Sequence, residues 1–219
     1  DALIAELRGR GYAAFGVFAA SLKAPAAAGW LRETLPGLAP AAIINATAFS
    51  AQGADGAGSP LSVVGCPVFQ VALSTARRKD WAEADRGLSP ADLAMHVVLP
   101  EVDGRIFAGV ASFKAPGRQD VDLEYSRFAH RADTDRIRAV VDRVDGWRRL
   151  ATLPNGDKRL GIILSTYPGK AHQLAHAVGL DALASCTRIL TDLAAEGYGV
   201  TALSDLGPAL MRDTLSWPV

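Results

Sequence analysis

The sequence is poor in sulfur: Cys66 and Cys186 are its only cysteines. They stand far apart, each among apolar neighbours, in no paired motif. This excludes a disulfide framework and a cysteine-rich metal site, and we expect two reduced, buried small hydrophobes in a cytoplasmic protein. Net charge is absent too. The 23 basic residues balance 23 acidic ones, which argues against nucleic acid or an anionic membrane surface as the main partner. No apolar run approaches the ~18 residues that a membrane-spanning helix needs. The N-terminal residues lack the charged-then-apolar layout of a secretion signal. A Walker loop is also missing, because Gly169-Lys170 has neither the upstream glycine nor the following Ser or Thr. Gly9-Arg-Gly-Tyr-Ala-Ala14 loosely matches a dinucleotide fingerprint, but it follows a helix pattern and precedes a strand pattern, the reverse of what that motif requires. No nucleotide site is expected on this chain.

What is present is a chain of 219 residues, 49% of them hydrophobic, enough for one large domain or two small ones. Helical spacing of Leu3, Ile4 and Leu7 predicts a first helix over 1–10, stopped by Gly9 and Gly11. The aromatic and β-branched run Tyr12–Leu22 predicts a buried strand. A helix over 26–35 follows, broken by Pro36-Gly37. Residues 41–49 predict a second strand, which runs into a segment containing Gly53, Gly56, Gly58 and Gly65. A third strand is expected over 67–73 and a short helix within 74–87. Ser89-Pro-Ala-Asp92 has the layout of a helix start, with Asp92 at the place of a reciprocal capping carboxylate. Met95–Leu99 reads as extended, and a strand over 105–113 leads into a polar connection over 115–131. Asp133 or Thr134 caps a long amphipathic helix with the stripe Ile137, Val140, Val141, Val144, Trp147 and Leu150. A strand over 158–166, a loop, a helix capped by Asp181, a strand from Val200 and a last helix after Gly207-Pro208 complete the chain. This rhythm predicts an α/β fold, a mostly parallel sheet layered with helices, followed by the start of a second β-α-β unit. The divisions fall at 1–131, 132–157 and 158–219. The first residue lies inside a helix pattern and is not Met, so we expect a piece of a longer polypeptide.

The stretch that holds most chemistry is Val97-Val-Leu-Pro-Glu-Val-Asp-Gly-Arg-Ile106. An apolar run stops at Pro100, and Glu101 and Asp103 follow two residues apart. Two carboxylates can hold a hard divalent cation, and one beside an apolar pocket can act as a base. The same pattern suits an ordinary hairpin tip. His172 and His176 have the i, i+4 spacing of a metal pair if helical, without a third ligand nearby. They also follow the carboxyl end of a predicted strand, where open α/β sheets bind ligands. His96 reads as a structural or ligand-facing imidazole. Asn45 and Thr47, at the end of a predicted strand, are hydrogen-bonding candidates.

Several blocks together resemble a known family. Ile43-Ile-Asn-Ala-Thr-Ala-Phe49, Pro67–Leu73, Arg86–Met95, Leu99-Pro-Glu-Val-Asp-Gly-Arg-Ile106 and Ser112-Phe-Lys114 are similar to the large subunit of aerobic cobaltochelatase, the CobN type. Leu164-Ser-Thr-Tyr-Pro-Gly169 and Ala177–Ala182 resemble the same family, in the family's order. The magnesium chelatase large subunit shares the Leu-Pro-Glu-aliphatic-Asp-Gly block. The resemblance implies an internal portion of a subunit that binds hydrogenobyrinic acid a,c-diamide and takes Co²⁺ as substrate. It further implies that ATP is used by two smaller partner subunits, one an AAA+ motor. Carried over to this chain, it assigns metal insertion, with transient handling of Co²⁺, to Glu101. Asp103 matches the block and joins Asn45, Thr47, His96, His172 and His176 as substrate-binding candidates. The family commonly has Asn where His96 stands, so the resemblance gives that imidazole no essential role. Two alternatives are a magnesium chelatase large subunit, which places Mg²⁺ in protoporphyrin IX, and a tetrapyrrole-binding scaffold without reacting groups.

Overall fold

A computed structural model describes residues 1–53, 56, 58–120, 122–164, 175, 178–200 and 206–212, without the side chains of 118–120, 209, 211 and 212. The chain divides into two compact units, Asp1–Arg148 and Arg149–Val219.

The first unit is built on a four-stranded sheet in the order β1-β2-β3-β4. Strands β1 (Ile43–Asn45), β2 (Val68–Ser74) and β3 (Ile106–Asp120) are parallel, and β4 (Tyr125–Ala132) returns antiparallel to β3. The α/β class with a mostly parallel sheet therefore holds. The side chains of β2 alternate between two cores. Phe69 and Val71 face a cluster with Ala108, Ala111 and the stripe Ile137, Val140 and Val144 of helix α6 (Thr134–Thr152). Leu3 of α1 (Ala2–Gly9) packs against the same cluster. On the other face Val68 joins Leu31 and Leu35 of α2 (Pro25–Leu38), and Ala72 joins Val110 and Phe113. Asp133 starts α6 as expected, accepting the Arg136 amide at 3.0 Å.

The parallel β2–β3 connection contains α3 (Arg78–Glu83) and then a continuous helical run. That run is α4 (Pro90–Leu93), a π-helical turn over Ala94–Val98, and α5 (Leu99–Val102). It carries the chain back across the sheet so that β3 can begin level with the start of β2, Phe69 opposite Ile106.

Several expectations fail here, each for a physical reason. Residues 95–99 are helical rather than extended, so Glu101 ends a crossover helix and no hairpin tip exists. Residues 12–20 form no strand: among the described residues none pairs with the outer side of β1. Phe15, Val17 and Phe18 of that segment are 59%, 50% and 95% exposed, against the expectation of a buried strand. Pro36-Gly37 does not stop α2, which continues to Leu38 and ends at Ala39 in the left-handed region, φ 42°. The polar connection 115–131 is instead the hairpin of β3 and β4. Ser89 caps α4 by accepting the Asp92 amide at 3.1 Å. The Asp92 carboxylate does not return to the cap; it accepts from Ser74 Oγ, the Thr75 amide and Thr75 Oγ1 at 2.9–3.0 Å.

In the second unit, α7 (Ala182–Ala195) begins at Asp181, whose carboxylate accepts the Ala184 amide at 2.9 Å. Residues 158–164 belong to no strand, and 165–166 of the expected strand lie outside the described residues. Leu160, Ile162 and Leu164 line an apolar cavity of 190 Å³ with Cys186 and Leu190 of α7. The last helix, α8, spans Gly207–Arg212. Both cysteines are free, Cys186 buried and Cys66 half-buried, with burial pushing the Cys66 thiol up. Among the described residues no helix is long and apolar enough to cross a membrane.

Candidate functional site

The site begins with the backbone at Pro100. In the π turn, the Leu99 amide donates to the carbonyl five residues back, that of Ala94. The next bond in that register would run from residue 100 to Met95, but proline has no N–H. The freed Met95 carbonyl instead accepts the amide of Phe49 at 2.8 Å. One turn later the helix closes in a Schellman motif. The Gly104 amide donates to Glu101 O at 2.8 Å, and the Arg105 amide to Pro100 O at 3.4 Å. Gly104 has φ +74°, which a residue with a Cβ adopts only under strain. The Pro-Glu-Val-Asp-Gly sequence is thus a helix terminus with a proline on one side and a left-handed glycine on the other.

That turn sends its two carboxylates to different environments. Glu101 is exposed, and its carboxylate has no hydrogen bond or ion pair among the described residues. The Asp103 side chain is fully buried. It accepts Ser50 Oγ at 2.5 Å, the Ala51 amide at 2.6 Å and the Arg105 guanidinium at 2.7 Å. Arg105 also donates to Gln70 Oε1 at 3.0 Å and to Phe49 O at 3.3 Å. Burial pulls the proton affinity of Arg105 down, and the neighbouring Asp103 opposes that shift. Gln70 Oε1 also accepts Asn45 Nδ2 at 2.7 Å, and Gln70 Nε2 donates to Thr47 O at 3.0 Å. Asn45 Oδ1 takes the Thr47 hydroxyl at 3.0 Å. A buried network therefore binds residues 47–51 to the turn that carries Glu101.

Of the residues expected from the sequence, Asn45, Thr47 and Asp103 meet in this network. They act on the protein's own backbone and side chains. Glu101 stands free beside them. His96 is 6% exposed, and its Nδ1 has no partner among the described residues. Burial pushes it below the ordinary imidazole value; the nearby Asp92 raises it and His130 lowers it further. His172 and His176 lie outside the described residues. No group of three or more His, Cys, Asp or Glu among the described residues is placed to hold a metal ion. Sequence reading missed Gln70, Arg105 and Phe49. A glutamine in the middle of the apolar run 67–73 was the visible signal for the first.

These features define an α/β module that presents the Glu101 carboxylate, unpaired among the described residues, at a helix terminus closed by a Schellman turn. A family model described as CobN/Magnesium Chelatase matches residues 1–216, and the chain belongs to that family. Aerobic cobaltochelatase subunit CobN of a Sinorhizobium species is 36% identical over 220 residues, covering 100% of this chain and 17% of that protein. The catalytic subunit of cobaltochelatase from Mycobacterium tuberculosis superposes with a TM-score of 0.69 at 28% identity, over 90% of this chain and 16% of that one. A magnesium-chelatase subunit of Rhodobacter capsulatus is 26% identical over 231 residues, 100% of this chain and 19% of that protein. The chain thus spans about one-sixth of the length of the cobaltochelatase relatives, and these three relatives are metal chelatase subunits.

Proposed function

We propose that this chain is a portion of the large, tetrapyrrole-binding subunit of a cytoplasmic, ATP-dependent cobaltochelatase. The complete enzyme inserts Co²⁺ into hydrogenobyrinic acid a,c-diamide in aerobic cobalamin biosynthesis. ATP is hydrolysed on two smaller partner subunits, one of them an AAA+ motor, in keeping with the missing Walker loop. The observation that carries this reading is the higher identity to the cobalt enzyme, 36% against 26% for the magnesium one, over the whole chain in each case.

Within that reaction, Glu101 is the reacting group. A corrin binds a metal as a monoanion, so the metal-free macrocycle gives up its inner N–H proton as Co²⁺ enters. A free carboxylate can accept such a proton, or hold the cation while its water is exchanged for ring nitrogens. Asp103 does neither, because its oxygens are occupied by Ser50, Ala51 and Arg105. It positions the turn.

Glu101→Gln in the full-length subunit, assayed with both partner subunits and ATP, is expected to abolish cobalt insertion and leave macrocycle binding nearly intact. Full turnover by that variant refutes the assignment. Mg²⁺ insertion into protoporphyrin IX by the wild type would favour the magnesium reading. Macrocycle binding without insertion of either metal would leave a scaffold.

A further inference from the structure

Phe49 lies at φ +66°, a region that bulky residues rarely adopt and glycine adopts freely. The strain is held from both sides. Its amide donates to Met95 O at 2.8 Å, and its carbonyl accepts Arg105 at 3.3 Å. The ring gains little cover in return, since the residue is 52% exposed. Strain of this kind persists where the surrounding structure enforces it, and it concentrates at ligand sites. A large aromatic kept in a glycine conformation, and left half in solvent, calls for a use outside the core.

Phe49 lines a cleft of 560 Å³ between residues 20–23 and 47–51, a size suited to a cofactor-sized molecule. Leu22 and three alanines supply small apolar surfaces, and none of the described lining residues is acidic. The hydroxyls of Thr47 and Ser50 are turned to Asn45 and Asp103. The Lys23 ammonium has no partner among the described residues. An aromatic face, an apolar floor and one cation suit a flat conjugated ring with carboxylate substituents.

We propose that this cleft receives the macrocycle, with the Phe49 ring against its conjugated face and Lys23 pairing with a peripheral carboxylate. The inference rests on the chelatase reading above and adds the place and the contacts. The network that strains Phe49 also holds Asp103, two residues beyond Glu101, so the macrocycle and the reacting carboxylate are referred to one rigid frame.

The test titrates the full-length subunit with metal-free hydrogenobyrinic acid a,c-diamide and measures Tm of each variant alone. Phe49→Gly relieves the backbone strain and removes the ring, so Tm should hold or rise while affinity falls about tenfold or more. Phe49→Trp should keep near-wild-type affinity. Lys23→Ala should weaken binding severalfold and flatten its salt dependence. Wild-type affinity in Phe49→Gly overturns the proposal while leaving the chelatase reading standing. Failure of the wild-type subunit to bind the macrocycle at all overturns both.

Discussion

Replacing Asp103 by Ala tests whether the buried network holds the Glu101 turn. The Arg105 and Asp103 side chains are 1% and 0% exposed. Removing one partner of such a pair leaves a buried charge unmatched, which costs about 3–5 kcal/mol. The Ala51 amide and Ser50 hydroxyl also lose their acceptor, but losses within one network overlap and do not simply add. Urea unfolding of the unit Asp1–Arg148, followed within the chain, supplies the measurement. With a slope of about 2 kcal/mol per molar, the midpoint should fall by roughly 1.5–2.5 M. Asp103→Leu combined with Arg105→Met removes both charges together and should recover much of the loss. A drop below about 1 kcal/mol for Asp103→Ala would match an exposed surface pair and refute the reasoning. So would a double variant as unstable as the single one.

Two further outcomes follow from the same helical run. Gly104→Ala meets no atom within 4 Å of the new Cβ, so its cost is the backbone conformation at φ +74° alone. That cost is about 1–2 kcal/mol, seen as a lower urea midpoint with an unchanged slope; a neutral result would mean that the Schellman turn is not held. His96 has its folded value depressed by burial, so the unfolded chain binds the proton first as pH falls. Stability should be unaffected by this group above about pH 6.5 and decline below it. The pH slope of the urea midpoint between about 7.5 and 5.5 should be shallower in His96→Asn, and equal slopes would contradict it.

Much of the fold was legible because hydrophobic period marks α1 and β2, and period and capping residues agree along α6 and α7. Asp133, Ser89 and Asp181 each cap the helix they precede. Two of the failures share a cause: local pattern carries no information about pairing partners. The segment 12–20 has the composition of a strand and lies outside the sheet. The β3–β4 hairpin pairs polar residues such as Lys114 and His130, whose side chains gave no apolar alternation to read. At the site, the Leu-Pro-Glu-Val-Asp-Gly block stood out at once, but its geometry did not. Pro100 reads as a stop, whereas the preceding π turn absorbs it inside a helix. Glu101 and Asp103 look equivalent in sequence, and only the arrival of Arg105, Ser50 and Ala51 separates the free carboxylate from the buried one. Residues drawn together across 35 positions, such as Gln70 and Arg105, leave no spacing to recognise.

The carbonyl that Pro100 releases at Met95 makes two distant positions answer to each other. A residue with an N–H at 100 would compete with Phe49 for the same acceptor, so the effect of changing either one depends on what occupies the other. Engineering that treats the segment after β1 and the crossover helix as separate parts would therefore misjudge both. Substitutions at 49 should be ranked only in backgrounds that retain the proline.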